Sequence, residues 1–99
     1  MDVNIQSIHF DADTKLLEYA EAKVKKLEQS YDRIISADIY LKFDSHSGQI
    51  KDKTAEIKLQ VPGPTLFGSG TSKTFEDALD EAFESLRRQI RKHKEKVRN

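Results

Sequence analysis

The side chains with chemistry to offer are bases, and they crowd into one segment. Arg87, Arg88, Arg91, Lys92, Lys94, Lys96 and Arg98 stand near the C-terminus, with only Glu95 among them as an acid. Arg88, Lys92 and Lys96 recur every four residues with Gln89 beside them, and Arg87, Arg91, Lys94 and Arg98 form a second row. On a helix, residues three and four apart share a face, so each row is a line of positive charge. Such lines neutralise phosphates, each contact adding roughly −0.7 to −0.9 to the salt slope of binding. Bases at a helix C-terminus also complement the macrodipole, and pairs such as Glu84–Arg88 add about 0.2–0.5 kcal/mol. That accounts for the last turn only. The excess points to a polyanion.

Other chemistries find little support. His9, His46 and His93 are scattered, and no two have metal-ligand spacing. His93 falls close to the apolar stripe of its helix, where a packed or half-exposed structural histidine is the expected role. Gly63, Gly68 and Gly70 fit neither a P-loop nor a dinucleotide fingerprint, and no nucleophile elbow occurs. Carboxylates are plentiful but fall on solvated helix faces. The expectation is a protein that is not an enzyme, with no cofactor, no metal and no small-molecule substrate.

Composition bounds the rest. The chain has 99 residues, 17 Lys and Arg against 17 Asp and Glu, and no Cys. Residues 1–99 are expected to form a single domain with a modest core. Without cysteine, neither disulfides nor thiolate metal sites hold it together, which suits a reducing cytoplasm. No apolar run approaches the roughly 20 residues of a membrane span, and Met1-Asp2-Val3-Asn4 does not read as a signal peptide. The net charge is zero, so only its distribution speaks to partners.

The elements that must position the bases follow from periodicity. Val3, Ile5 and Ser7 alternate with polar residues, predicting a strand over about Asp2–Ile8. His9–Ala12 is a loop, and Asp13 stands where an N-cap should. Leu16, Ala20, Val24, Leu27 and Tyr31 then predict a helix over about Thr14–Ser30. Lys15, Tyr19, Lys23 and Lys26 lie along one side of its apolar stripe; Glu18, Glu21 and Glu28 lie along the other, with Lys25 among them. Two strands follow, Ala37–Phe43 and Thr54–Val61, each alternating cleanly, so the sheet buries one face only. Asp44–Gln49 reads as the long polar turn of their hairpin. Pro62-Gly63-Pro64 makes the next turn, and Thr65–Gly70 is a short fourth strand. Its Gly68 and Gly70 suggest close backbone approach or a bulge. Thr74 caps the last helix, with Asp77 at the capping-box position. Phe75, Leu79, Ala82, Phe83, Leu86, Ile90 and Val97 mark that helix to the end of the chain.

The order is β-α-β-β-β-α, an α+β fold. A right-handed crossover through the first helix makes the first two strands parallel, and the others form an antiparallel meander. The result is a four-stranded mixed sheet with both helices packed on one face. A groove then lies between the helices, with lysines of the first on one wall and bases of the last on the other.

The kind of polyanion narrows by elimination. The aromatic stacking positions of an RRM are missing, and there is no GXXG loop of the KH type. Double-stranded-RNA-binding domains share the helix order but place lysines near the start of the final helix, which here is acidic. Tyr40 alone is too few aromatics for a stacking platform. Phosphate contacts to folded RNA remain.

The chain resembles the family of ribosome hibernation promoting factors and ribosome-associated inhibitors. Carrying the resemblance are Lys23 with Lys26-Leu27-Glu28, the Pro62-Gly63 turn, Leu66 with Gly68-Ser69-Gly70, and the run Leu86, Arg88, Gln89, Ile90 and Lys92. It implies a protein that binds the small ribosomal subunit, through ribosomal RNA, between head and platform. There it would overlap the messenger and transfer RNA sites and inhibit translation under stress or in stationary phase. Family basic positions match Lys23, Lys26, Arg88 and Lys92; Lys96 extends their row, and Arg91, Lys94 and Lys15 are further candidates. Family members often carry a base where Ser85 stands, and the acidic run Glu76–Glu84 keeps this chain neutral. A chain ending at Asn99 looks like the short form, which in relatives favours paired, inactive ribosomes. We expect it to be cytoplasmic and a monomer when free. The alternative, from another class, is a protein-interaction module whose charge-split C-terminal helix docks an acidic partner.

Overall fold

The structure, a computed structural model, describes residues 1–44 and 52–97. Residues 45–49 of the expected hairpin turn, with His46, and the terminal Arg98 lie outside the described residues, while Asp44, expected in that turn, is the last residue of a strand. The elements are β1 (Asp2–Ser7), α1 (Thr14–Ser30), β2 (Ser36–Asp44), β3 (Asp52–Gln60), β4 (Thr65–Ser72) and α2 (Phe75–Val97). The sheet order is β1-β2-β3-β4, with β1 parallel to β2 and the other pairs antiparallel. This is the expected α+β fold, with both helices on the apolar face.

Local chemistry sets the helix starts. The Asp13 carboxylate accepts the Leu16 N–H at 2.8 Å, while the Asp13 carbonyl accepts that of Leu17. The Thr74 hydroxyl accepts the Asp77 N–H at 3.0 Å. Each cap satisfies an N–H that the helix itself leaves free. Between β3 and β4 the chain reverses through Gly63, whose φ of 101° is in the left-handed region open to glycine.

Register explains how α2 seats. One core-facing row across the sheet reads Ile5, Ile39, Ile57 and then Gly68; the next reads Ser7, Leu41, Ala55 and Gly70. The sheet face is bulky at its centre and bare along β4, where α2 presents Ala78 and Ala82. A Cβ on Gly68 would meet the Ala82 carbonyl oxygen at 2.5 Å and Leu86 Cγ at 2.8 Å. One on Gly70 would collide with the Ala78 carbonyl oxygen. Of the two sequence readings, close approach is the one found; pairing of β3 with β4 runs without a bulge. The strand also extends past Gly70 to Ser72, because Thr71 and Ser72 continue the ladder opposite Thr54 and Lys53.

The core is one cluster of buried apolar side chains from α1, β2, β3 and α2, with Ile5 and Leu66 packed at its margins. At one end Phe10 stacks on Phe75 at 4.9 Å, and Phe43 meets both rings edge-on. At the other end His93, 9% exposed, packs edge-on against Tyr31 with ring centroids 5.6 Å apart. Of the packed and half-exposed roles that the stripe allowed, His93 takes the packed one.

Candidate nucleic-acid interface

Topology fixes how the two helices present their charges. The pairings make β1 and β4 run the same way, and each is followed by a helix that returns over the sheet. So α1 and α2 are parallel. Side chains confirm it: Tyr19 and Lys23 meet Asp80, while further along Lys94 meets Ser30. Both C-termini therefore lie at one end, where α2 carries its bases.

The flank of α1 singled out in the sequence is the flank that faces α2. Tyr19 Oη donates to Asp80 Oδ1 at 2.6 Å, and Lys23 Nζ lies 2.9 Å from the same oxygen. Lys23 also sits over the Tyr19 ring, 5.5 Å from its centroid. The hydrogen bond to Asp80, then burial, then the nearby charges of Asp80, Asp77 and Glu76 push the Tyr19 hydroxyl up to about 12. Burial alone would raise the Asp80 carboxyl. Hydrogen bonds from Tyr19 and Lys23 and the charges of Lys23 and Lys26 outweigh it and hold the group below its ordinary value. Lys26 is exposed one turn beyond. Lys15 is exposed at the opposite end of the seam, towards the acidic start of α2.

The bases of α2 divide between two flanks. Lys94 Nζ donates to the Ser30 carbonyl at 3.0 Å, satisfying an acceptor at the negative end of α1. Arg87, Arg91 and Lys94 share an open cleft with Ser30, Ile90 and Glu95. Arg87 Nη1 lies 3.6 Å from Glu84. Arg88, Lys92 and Lys96 are exposed on the other side. Their neighbour at helical spacing, Gln89, donates to the Phe67 carbonyl of β4 at 2.7 Å and to Ser85 Oγ at 3.0 Å, which turns that flank towards the sheet edge. The single groove expected from the sequence is thus two surfaces. Arg91 and Lys94 face Lys23 and Lys26 across the seam; Arg88, Lys92 and Lys96 continue the positive surface over the crest of α2.

Two charged residues that the structure brings to the seam, Arg87 and Asp80, were not among the nominated residues. Arg87 was visible as a member of the seam-facing row, four residues before Arg91. Asp80 was hidden in an acidic run that reads as solvated; only the parallel packing of two helices far apart in sequence reveals its partners. Among the described residues no group of His, Asp and Glu could hold a metal ion.

Comparison with known proteins agrees with this architecture. The ribosome hibernation promoting factor of Escherichia coli (strain K12) is 31% identical over 99% of this chain and 98% of its own length. That of Pseudomonas putida is 28% identical over 97% of this chain and 89% of its own. A ribosomal subunit interface protein from Coxiella burnetii, 20% identical, shares the fold with a TM-score of 0.84 over 95% of this chain and 98% of that one. The model of one family, Sigma 54 modulation protein / S30EA ribosomal protein, matches residues 3–98. The chain belongs to that family.

Proposed function

We propose that the chain is a ribosome hibernation factor that binds the small ribosomal subunit in the decoding channel. Bound there it blocks messenger and transfer RNA, inhibits translation and favours inactive ribosome pairs. It would act in the cytoplasm as one ribosome-binding unit, monomeric when free. The family is one of ribosome-binding proteins, not enzymes.

One observation carries the reading. Parallel packing gathers Lys26, Arg87, Arg88, Arg91 and Lys92, all exposed, around the C-terminal halves of both helices. A neutral chain thereby presents a concentrated positive surface, the electrostatic footprint of a phosphate-rich partner. Among the described residues none of these five bases sits over an aromatic ring, so shape and phosphate spacing supply recognition.

Sedimentation with ribosomes at rising salt tests this. Wild-type protein should pellet with small subunits and dissociate progressively as salt rises. Arg88→Glu combined with Lys92→Glu should abolish cosedimentation at physiological salt; unchanged cosedimentation would refute the site. A defined protein complex that survives nuclease, without ribosome association, would support docking to an acidic partner instead.

A further inference from the structure

Lys23 is one of the basic positions that the family resemblance implies, yet its surroundings differ from those of every other nominated base. Its side chain is only 25% exposed, and its ammonium is already matched by Asp80, whose side chain is 44% exposed. The same carboxylate oxygen takes the Tyr19 hydroxyl, and the Tyr19 ring covers the ammonium from the side. A phosphate approaching Lys23 would therefore also approach Asp80. Lys26, one turn on, is exposed and makes no ion pair among the described residues.

The seam also needs holding together. Parallel helices bring like dipole ends side by side, and here both C-terminal halves carry bases, so electrostatics pushes α1 and α2 apart. Two ties oppose this: Asp80 with Tyr19 and Lys23, and Lys94 with Ser30. They sit about 21 Å apart along α2, at 1.5 Å per residue.

We propose that Lys23, Asp80 and Tyr19 form an interhelical strut, and that Lys23 is a positioning residue for the RNA-binding surface, not one of its phosphate contacts. The strut fixes the distance between Lys26 on α1 and Arg87 and Arg91 on α2, so that phosphates meet a preformed spacing. This rests on the ribosome-binding reading and reassigns one of its residues. Preorganisation of this kind changes affinity without changing how many charges the ligand meets.

The salt slope of binding separates the two roles, because it counts neutralised phosphates. Affinity for isolated small subunits is measured across a salt series for wild type, Lys26→Gln, Lys23→Gln, Asp80→Asn and the last two combined. Lys26→Gln should make the slope shallower by about 0.7–0.9. Lys23→Gln and Asp80→Asn should each weaken binding about two- to tenfold with the slope unchanged, and the combination should be no worse than either alone. A shallower slope for Lys23→Gln overturns the proposal. So does tighter binding with a steeper slope for Asp80→Asn, which would mean that Asp80 masks a contact.

Phenolate absorbance of the free protein gives a readout without ribosomes. In wild type one tyrosine should titrate near 12, and in Asp80→Asn it should return towards its ordinary 10. An unaltered titration curve overturns the strut itself. Wild-type protein that does not bind small subunits would overturn the functional reading, and the positioning role with it, while the titration still decides whether the strut exists.

Discussion

The two halves of α2 lie on one continuous helix and do opposite work. Its first half, from Phe75 to Phe83, sits where β4 is bare, with Ala78 and Ala82 carbonyls against Gly68 and Gly70. Its exposed residues there are acids: Glu76, Asp77 and Glu81. The second half carries the bases, and of these only Lys94 and Arg87 have a partner among the described residues. The first half is thus anchored by shape, the second left with unneutralised charge. A binding surface rich in like charge is self-repelling, so a firm seat elsewhere on the same rigid element is what lets it persist.

The comparison breaks most visibly at the seat. Gly70→Val puts a branched side chain where a single Cβ already collides with the Ala78 carbonyl, so α2 must lift from the sheet. We expect a loss of about 3 kcal/mol or more, read as a lowered denaturant midpoint. Ribosome affinity should fall with it, since the bases lose their frame. A midpoint within error of wild type would mean that the seat is not close-packed.

Charge reversal in the other half should do the converse. Arg87→Glu with Arg91→Glu removes two seam-facing bases at exposed positions, so stability should move by about 0.5 kcal/mol or less. The salt slope should become shallower by about 1.4–1.8 and affinity should fall on the order of tenfold or more. Loss of stability without loss of binding would exchange the roles assigned to the two halves.

Much of this was legible in the sequence because it is local. Alternation placed the strands to within a residue or two, and Asp13 and Thr74 announced both caps. The charge split of α2 needs no structure to be seen. What was not legible is set by tertiary geometry. That Arg91 faces α1 while Arg88 faces away depends on which side of α2 the neighbour occupies, and periodicity fixes only angles about the helix's own axis. Asp80 belongs to an acidic run on sequence grounds, and its role depends on Tyr19, 61 positions away. Gly68 and Gly70 signalled close approach, but only the register with Ile57 and Ala55 showed that α2 is what approaches.

Caps test the anchoring of the helices at smaller scale. Asp13→Ala leaves the Leu16 N–H without its acceptor and should cost about 1 kcal/mol. Its effect on ribosome affinity should be slight, because the capped end of α1, with Lys15, lies away from the bases of α2. An affinity loss as large as that of the charge reversals would show that the start of α1 belongs to the binding surface.

The strut that ties the first half of α2 to α1 gives the comparison a pH signature. The Asp80 carboxyl is held below its ordinary value of 3.8, so its stabilisation is present above that value and is lost as pH falls through the lower folded value. The Tyr19 hydroxyl is raised from 10.0 to about 12, so its contribution is complete below pH 10 and disappears as pH rises towards 12. Wild type should therefore lose stability relative to Asp80→Asn at both extremes and hold its advantage between them. Parallel stability–pH curves for the two proteins would show that the strut contributes nothing.

The smallest effect concerns the packed end of the basic half. His93 is buried beside Tyr31, and among the described residues its Nε2 has no hydrogen-bond partner. A buried polar atom without a partner is a standing cost, whereas a phenyl ring of similar shape has no such atom to satisfy. His93→Phe keeps the edge-on contact with Tyr31 and should leave the protein as stable as wild type or more so, by up to about 1 kcal/mol. Ribosome affinity should not change, because the ring points into the core and not towards the exposed rows. If thermal melts instead show a clear loss, the imidazole nitrogen is satisfied in solution, and this end of α2 is held by a polar contact as well as by packing.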